Sequence, residues 1–259
     1  MKSFVLAALL AAAPLGPLAA QANYEIQIYP SKTQEKGTTL FELHSNFTGT
    51  GTKSVENGLL PTDGVLHNTL EITHGFNDVF EVGFYVFTSA RAGDGWQVAG
   101  SHIRPRIRVP EAWKLPVGLS LSAEVGPTQR KFDAAEWGVE LRPIVDQTIG
   151  DFYWAFNPTI GWALKGDEAG RGYRGMGFEP SGKVAWQVSK EAQLGFEYYG
   201  STGTVARMAP SAEQQHMLYP SVDLTLPGEW EFNAGFGFQL SGSGDRNILK
   251  MIVGRRFEF

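Results

Sequence analysis

Apolar residues recur at every second position through most of the chain. A period of two puts them on one face of a β-strand, whereas an amphipathic helix needs a period near 3.6. Twelve segments of about ten residues carry the alternation: 38–47, 66–74, 79–88, 98–109, 117–125, 136–146, 152–164, 178–188, 192–201, 216–226, 230–240 and 248–259. In the first, Phe41, Leu43 and Phe47 alternate with Leu40, Glu42, His44 and Asn46. In the fourth, Ile103, Ile107 and Val109 oppose His102, Arg104, Arg106 and Arg108. In the eleventh, Trp230, Phe232, Ala234, Phe236, Phe238 and Leu240 share one side.

The connections alternate between short turns and longer polar loops, the longest at 48–65, 165–177 and 202–215. Trp137, Phe152, Trp154, Trp162, Trp186 and Trp230 gather near segment ends. An even number of ten-residue strands, unequal loops and aromatic girdles describe an all-β, twelve-stranded antiparallel transmembrane β-barrel occupying 38–259. The apolar face then meets lipid and the polar face a lumen, and both termini fall at the short-turn end. A soluble barrel reverses the faces. The large aromatic set against charge on nearly every strand favours the membrane form.

Composition narrows the picture. The chain has no cysteine, which excludes thiolate metal sites and a cysteine nucleophile. Its net charge of −5 argues against a nucleic-acid partner. Met1-Lys2, the apolar run from Phe4 to Ala13 and the Ala20-Gln21-Ala22 site describe a secretory signal peptide over 1–22. The run is too short to span a bilayer as a helix. Residues 23–37 read as an N-terminal periplasmic segment. Its Tyr24, Ile26, Ile28 and Tyr29 suit pairing at the barrel edge or capping the periplasmic mouth.

The chain ends Val253-Gly254-Arg255-Arg256-Phe257-Glu258-Phe259. This strand resembles the C-terminal strand of bacterial outer-membrane β-barrel proteins, with an aromatic last residue and apolar residues at alternate positions before it. Arg255 departs from the pattern. The resemblance implies an outer-membrane location and recognition of Phe257 and Phe259 by the barrel-assembly machinery. More loosely, the chain resembles the meta-pathway phenol-degradation barrels, which implies uptake of small organic compounds.

The inward charges are the candidate functional groups. Folding the segments across their short turns sets Glu71 nearly opposite Glu81, Arg104 and Arg106 beside Glu81, Ser120 and Ser122 beside the arginines, and Glu140 and Arg142 beyond. Facing carboxylates repel unless a cation lies between them. The lumen belt of Glu71, Glu81, Arg104, Arg106, Glu140 and Arg142 reads either as a charged constriction for small solutes or as a salt-bridge plug in a structural or adhesive barrel. A membrane lipid hydrolase needs a paired serine and histidine. His44-Ser45-Asn46 has the residue types, but Ser45 faces away from its neighbours. No catalytic residue, metal site or cofactor is expected. The partners expected are outer-membrane lipid, the assembly machinery and a small solute.

Overall fold

The computed structural model describes residues 23–167 and 169–258. Residues 1–22, read above as a signal peptide, and Phe259 therefore lie outside the described residues. Strands β1 Thr38–Thr50, β2 Val65–Asn77, β3 Phe80–Arg91, β4 Gly95–Arg108, β5 Gly118–Pro127 and β6 Ala135–Ile149 form an antiparallel meander. The seventh position is divided into β7 Phe152–Phe156 and β8 Thr159–Gly166, and the eighth into β9 Gly177–Glu179 and β10 Ser181–Gln187. β11 Ala192–Ser201 follows. Two short strands, β12 Gly203–Thr204 and β13 Arg207–Met208, form a hairpin in the next loop. β14 Gln215–Leu226, β15 Trp230–Gly242 and β16 Asn247–Glu258 complete the wall. Pairing of β1 with β16 from Thr38↔Glu258 onwards closes it. With each divided strand counted once, the barrel has twelve strands, as the alternation predicts.

The divided strands depart from the sequence reading, which drew each as continuous. The cause is proline. Pro158 and Pro180 have no N–H to give to a ladder, and they fall side by side, since Thr159 pairs with Glu179 and Phe156 with Gly182. A second departure is the β2–β3 register. Glu71 lies opposite Tyr85, and Glu81 opposite Gly75. The strands run on past Gly75 to a two-residue turn at 78–79, and a bulge between Gly75 and Asn77 corrects this by only one residue, so the two carboxylates do not face each other.

Side-chain faces follow the alternation. Glu42, His44, Asn46, Glu71, Arg104, Ser122 and Lys250 are buried inside, while Phe41, Leu43, Leu70, Phe84, Ile107, Leu121, Phe236 and Leu249 are exposed outside. No described helix is long and apolar enough to cross a membrane. Arg255 has a physical accommodation on the outer face. Its guanidinium lies 5.2 Å from the Trp230 ring centre and 4.9 Å from that of Phe257, a cation–π sandwich at the short-turn end. Substitution tests the faces directly. Leu121→Arg places a charge in lipid and should destabilise the barrel by about 2–4 kcal/mol in denaturant titration from liposomes. Ser122→Asp, one residue on, places its charge in the lumen between Arg106 and Arg142 and should cost far less. Equal losses would contradict this placement of β5.

Residues 23–37 depart most from expectation. With β1 and β16 paired there is no free edge to join, and the segment neither caps the mouth nor lies outside the wall. It threads the lumen. Asn23 reaches the long-loop end, where its Nδ2 donates to Asp245 at 2.7 Å, and Gly37 sits at the short-turn end, its N–H donating to the Gly75 carbonyl at 2.8 Å. The barrel strands themselves begin and end together, but the chain leading into them starts at the opposite mouth. About fourteen extended residues reach some 46 Å, enough to run the height of the barrel.

Candidate functional site: the occupied lumen

The luminal segment forms no regular ladder, yet buried backbone groups must be paired. The inward polar side chains of the wall pair them. Asn46 Nδ2 donates to the Asn23 carbonyl at 3.0 Å and Thr69 Oγ1 to that of Tyr24 at 2.8 Å. Lys250 Nζ donates to the Ile26 carbonyl at 3.1 Å. Arg106 donates to the carbonyls of Pro30 and Lys32 at 2.9 and 3.0 Å. Asp146 accepts from Ser31 N–H and Oγ, and Glu81 from the Gln34 N–H at 2.6 Å. Asn157 sits at the gap that Pro158 opens. There it accepts the Tyr29 N–H at 2.7 Å and donates to the Tyr29 carbonyl at 3.1 Å, as a neighbouring strand would. The period-two polar face thus serves as hydrogen-bonding partner to an inner chain.

Apolar side chains of the segment find partners too. Tyr24 packs with Tyr85, Phe87 and Ala99, and Ile26 with Met217, Tyr219 and Ile248. The Tyr219 ring lies over Gly237, where a Cβ would come within 2.2 Å of it. At the long-loop end, Asp245 holds Asn23 and accepts from Thr62 Oγ1 at 2.5 Å. Burial there pushes its carboxyl above the usual range.

The six belt residues all face inward, in two groups. In the first, Arg104 bridges Glu71 at 2.7 Å and Glu81 at 3.3 Å, and Arg106 meets Glu81 at 2.8 Å. Arg104 also donates to Tyr85 Oη, and Thr73 Oγ1 to Glu71 at 2.7 Å. In the second, Arg142 pairs with Glu140 at 3.2 Å on the same strand. Tyr29 joins the groups. Its ring centre is 4.6 Å from the Arg104 guanidinium, 5.6 Å from that of Arg106 and 5.1 Å from that of Arg142. Its hydroxyl donates to Glu25 at 2.5 Å. The belt is thus gathered around one aromatic of the luminal segment, a partner the sequence reading did not assign to it. His44 and Ser45 point to opposite faces, and Ser45 Oγ donates to Asn68 at 2.7 Å, so the two form no nucleophile–base pair.

A second charged cluster lies across the lumen and was missed. Lys183 meets Asp223 at 2.6 Å and Glu197 at 3.4 Å, Lys250 pairs with Glu197, and Asn233 donates to Asp223 at 2.8 Å and to Glu197 at 3.2 Å. Alternation alone places these residues inside. Lys183 faces Glu197 and Asp223 faces Asn233 across the short turns at 188–191 and 227–229. Joining these pairs to each other and to Lys250 depends on the β11–β14 and β15–β16 registers, which are set across the long-loop end.

Between the two clusters is a cavity of about 470 Å³. The segment from Gln27 to Glu35 forms one side, and Glu42, Glu71, Lys183, Asp223 and Glu231 are among the wall residues. A smaller space of about 70 Å³ lies towards the long loops, against Ile26, Tyr199, Met217 and Tyr219. Gln27 borders both and stands between them on the luminal segment.

No family model matches the chain, and no curated protein matches it. Solved structures do. An outer-membrane channel from Pseudomonas putida F1 is similar over 90% of this chain and 100% of its own, with a TM-score of 0.60 and 13% identity. The NanC porin aligns over 85% of this chain and 100% of its own, with a TM-score of 0.55 and 6% identity. The KdgM porin aligns over 85% and 99%, with a TM-score of 0.53 and 12% identity. The fold is that of a bacterial outer-membrane β-barrel. At these identities the likeness carries the architecture, which the channels and porins share with this chain nearly end to end.

Proposed function

We propose that this barrel is a narrow outer-membrane channel that passes small solutes between the luminal segment and the wall made by β10, β11, β14, β15 and β16. The observation behind this is the pair of spaces along the luminal segment, separated by Gln27, whose movement would join them. The belt around Tyr29 is too tightly paired to act as a free charged ring, so in this reading it anchors the segment, and the segment sets the bore. The larger cavity carries both signs of charge, which suits small polar or amphipathic solutes more than a strongly charged polymer. The resemblance to the phenol-degradation barrels adds small organic compounds as a solute class. Export by the signal peptide, insertion by the assembly machinery at Phe257 and Phe259, and contact with outer-membrane lipid belong to the same proposal.

The test uses the absence of native cysteine. Purified protein in a planar bilayer should give small, discrete conductance steps. In Asp223→Cys, a bulky charged thiol reagent should reduce that conductance, because Asp223 lines the larger cavity. In Leu121→Cys, on the lipid face, the same reagent should leave it unchanged. A silent bilayer with a correctly folded barrel would favour the plugged, structural reading instead.

A further inference from the structure

We propose that Glu42, His44 and Glu71 form a binding site for one divalent first-row transition cation, of which Zn²⁺ is the representative, in the lumen wall. Glu42 and Glu71 are directly opposed on β1 and β2, and His44 stands two residues along from Glu42 on the same inner face. One potential ligand atom from each residue lies within 4.8 Å of the others. Zinc takes carboxylate oxygen and imidazole nitrogen at about 2.0–2.2 Å, so small side-chain rotations bring all three onto one ion. Nothing in the proposal requires that the lumen conducts.

His44 is the observation that turns an acidic pair into a site. Its side chain is 0% exposed, and neither Nδ1 nor Nε2 has a hydrogen-bond partner. Nε2 faces Glu71 Oε2 at 3.3 Å without hydrogen-bonding geometry. A fully buried imidazole whose Nδ1 has no partner and whose Nε2 has only the 3.3 Å contact with Glu71 is costly, and a cation at Nε2 would satisfy that nitrogen. Gln27 adds a donor from the luminal segment. Its Nε2 donates to Glu42 Oε1 at 3.2 Å while its buried Oε1 has no partner. A turn of that amide offers an oxygen at the same place.

Charge points the same way. Glu42, Glu71 and Glu81 face only Arg104 and Arg106 within this cluster, which leaves one carboxylate without a cation. The Glu231 and Glu42 stems also approach each other over Gly254, where a Cβ would lie 2.8 Å from one Cγ and 3.0 Å from the other. Arg104 does not block the site. It and Thr73 take Glu71 Oε1, whereas Oε2 has only the Tyr29 hydroxyl at 3.4 Å and His44. Glu42 and Glu71 line the larger cavity, which gives an ion a way in from the short-turn mouth. Borderline N/O ligands of this kind suit zinc and its neighbours better than calcium or magnesium. Because Gln27 belongs to the luminal segment, a bound ion would also fasten that segment to the wall.

The experiment is titration of the chelator-treated, full-length folded barrel in detergent with Zn²⁺, followed by calorimetry and by the temperature of heat-modifiable migration. One equivalent should bind and raise that temperature. His44→Gln and Glu42→Gln should each weaken binding by more than the roughly 10–100-fold that loss of an outer partner causes. His216→Gln, outside the cluster, should leave it unchanged. No stoichiometric binding, or undiminished binding in His44→Gln, overturns the proposal. Should the lumen variants fail to fold, the wild type still decides. Bound Co²⁺ should show the intense visible bands of a four- or five-coordinate site, and weak octahedral bands alone would refute it.

Discussion

A barrel lacking Tyr24–Thr33 is expected to conduct several-fold more current than the intact chain, with a lower melting temperature. The wall closes through β1 and β16 without help from the luminal segment, so the barrel can form when the segment is removed. Twelve strands enclose a bore between that of side-chain-filled small barrels and open porins. In the intact chain much of that bore is occupied by Tyr24, Ile26 and Tyr29 and their wall partners, leaving about 470 Å³ in the larger cavity. Without them Asn46, Thr69, Asp146 and Asn157 lose backbone partners, and entering water takes their place. The hydrogen bonds exchanged are individually modest, about 0.5–1.5 kcal/mol net each. The packing of Tyr24 and Ile26 adds to the loss. Single-channel recording of the deletion beside the intact chain checks the outcome. Equal conductance from the two proteins would mean that the segment does not set the bore.

That segment marks the limit of what the sequence discloses. Its own alternation of Tyr24, Ile26 and Ile28 looks like that of an ordinary edge strand. Its identity as an inner chain resides in its partners, and those are scattered over Asn46, Thr69, Arg106, Asp146, Asn157 and Lys250. No local window contains them. The faces of the wall are legible for the opposite reason. A period of two is local, so Leu121 and Ser122 can be told apart within one strand. Contacts across short turns are legible as well. Ser122 pairs with Arg106 across the 110–116 turn, as the sequence places it beside the arginines. The β2–β3 hairpin is misread because its strands run through Gly75 and Asn77, which look like turn residues, to a turn at 78–79. Asn157 carries a faint signal in the Asn-Pro pair, which shows that a ladder must break there but not what fills the break. The cluster of Lys183, Glu197, Asp223 and Lys250 is visible as four inward charges, with Lys183 opposite Glu197 across a short turn, but its joining to Asp223 and Lys250 rests on registers set across the long-loop end.

Arg104→Met is expected to cost about 3–5 kcal/mol of folding stability, the range for removing one partner of a buried ion pair. Arg104 alone joins Glu71 to Glu81, and its side chain is 1% exposed. Its loss leaves Glu71 with no guanidinium and Glu81 with only Arg106, both in a lumen where the inner chain excludes most water. It also removes a cation from the face of Tyr29, loosening the segment that the belt surrounds. Glu71→Gln added to Arg104→Met should recover part of the loss, since the double variant no longer buries that charge. Arg108 supplies the comparison on the same strand. Its partner Glu111 is 79% exposed, and Arg108 also donates to the Asp78 carbonyl, so Arg108→Met should cost about 1–2 kcal/mol, one surface pair and one hydrogen bond. Denaturant titration of the four proteins from liposomes measures these differences, and bilayer recording of Arg104→Met adds the functional half. If Arg104 instead lines an open constriction, its removal shifts ion selectivity towards cations and leaves stability nearly intact, because water would already solvate Glu71 and Glu81. Equal destabilisation by Arg104→Met and Arg108→Met would refute the anchoring role, since an exposed and a buried pair can cost the same only where the lumen is as wet as the surface.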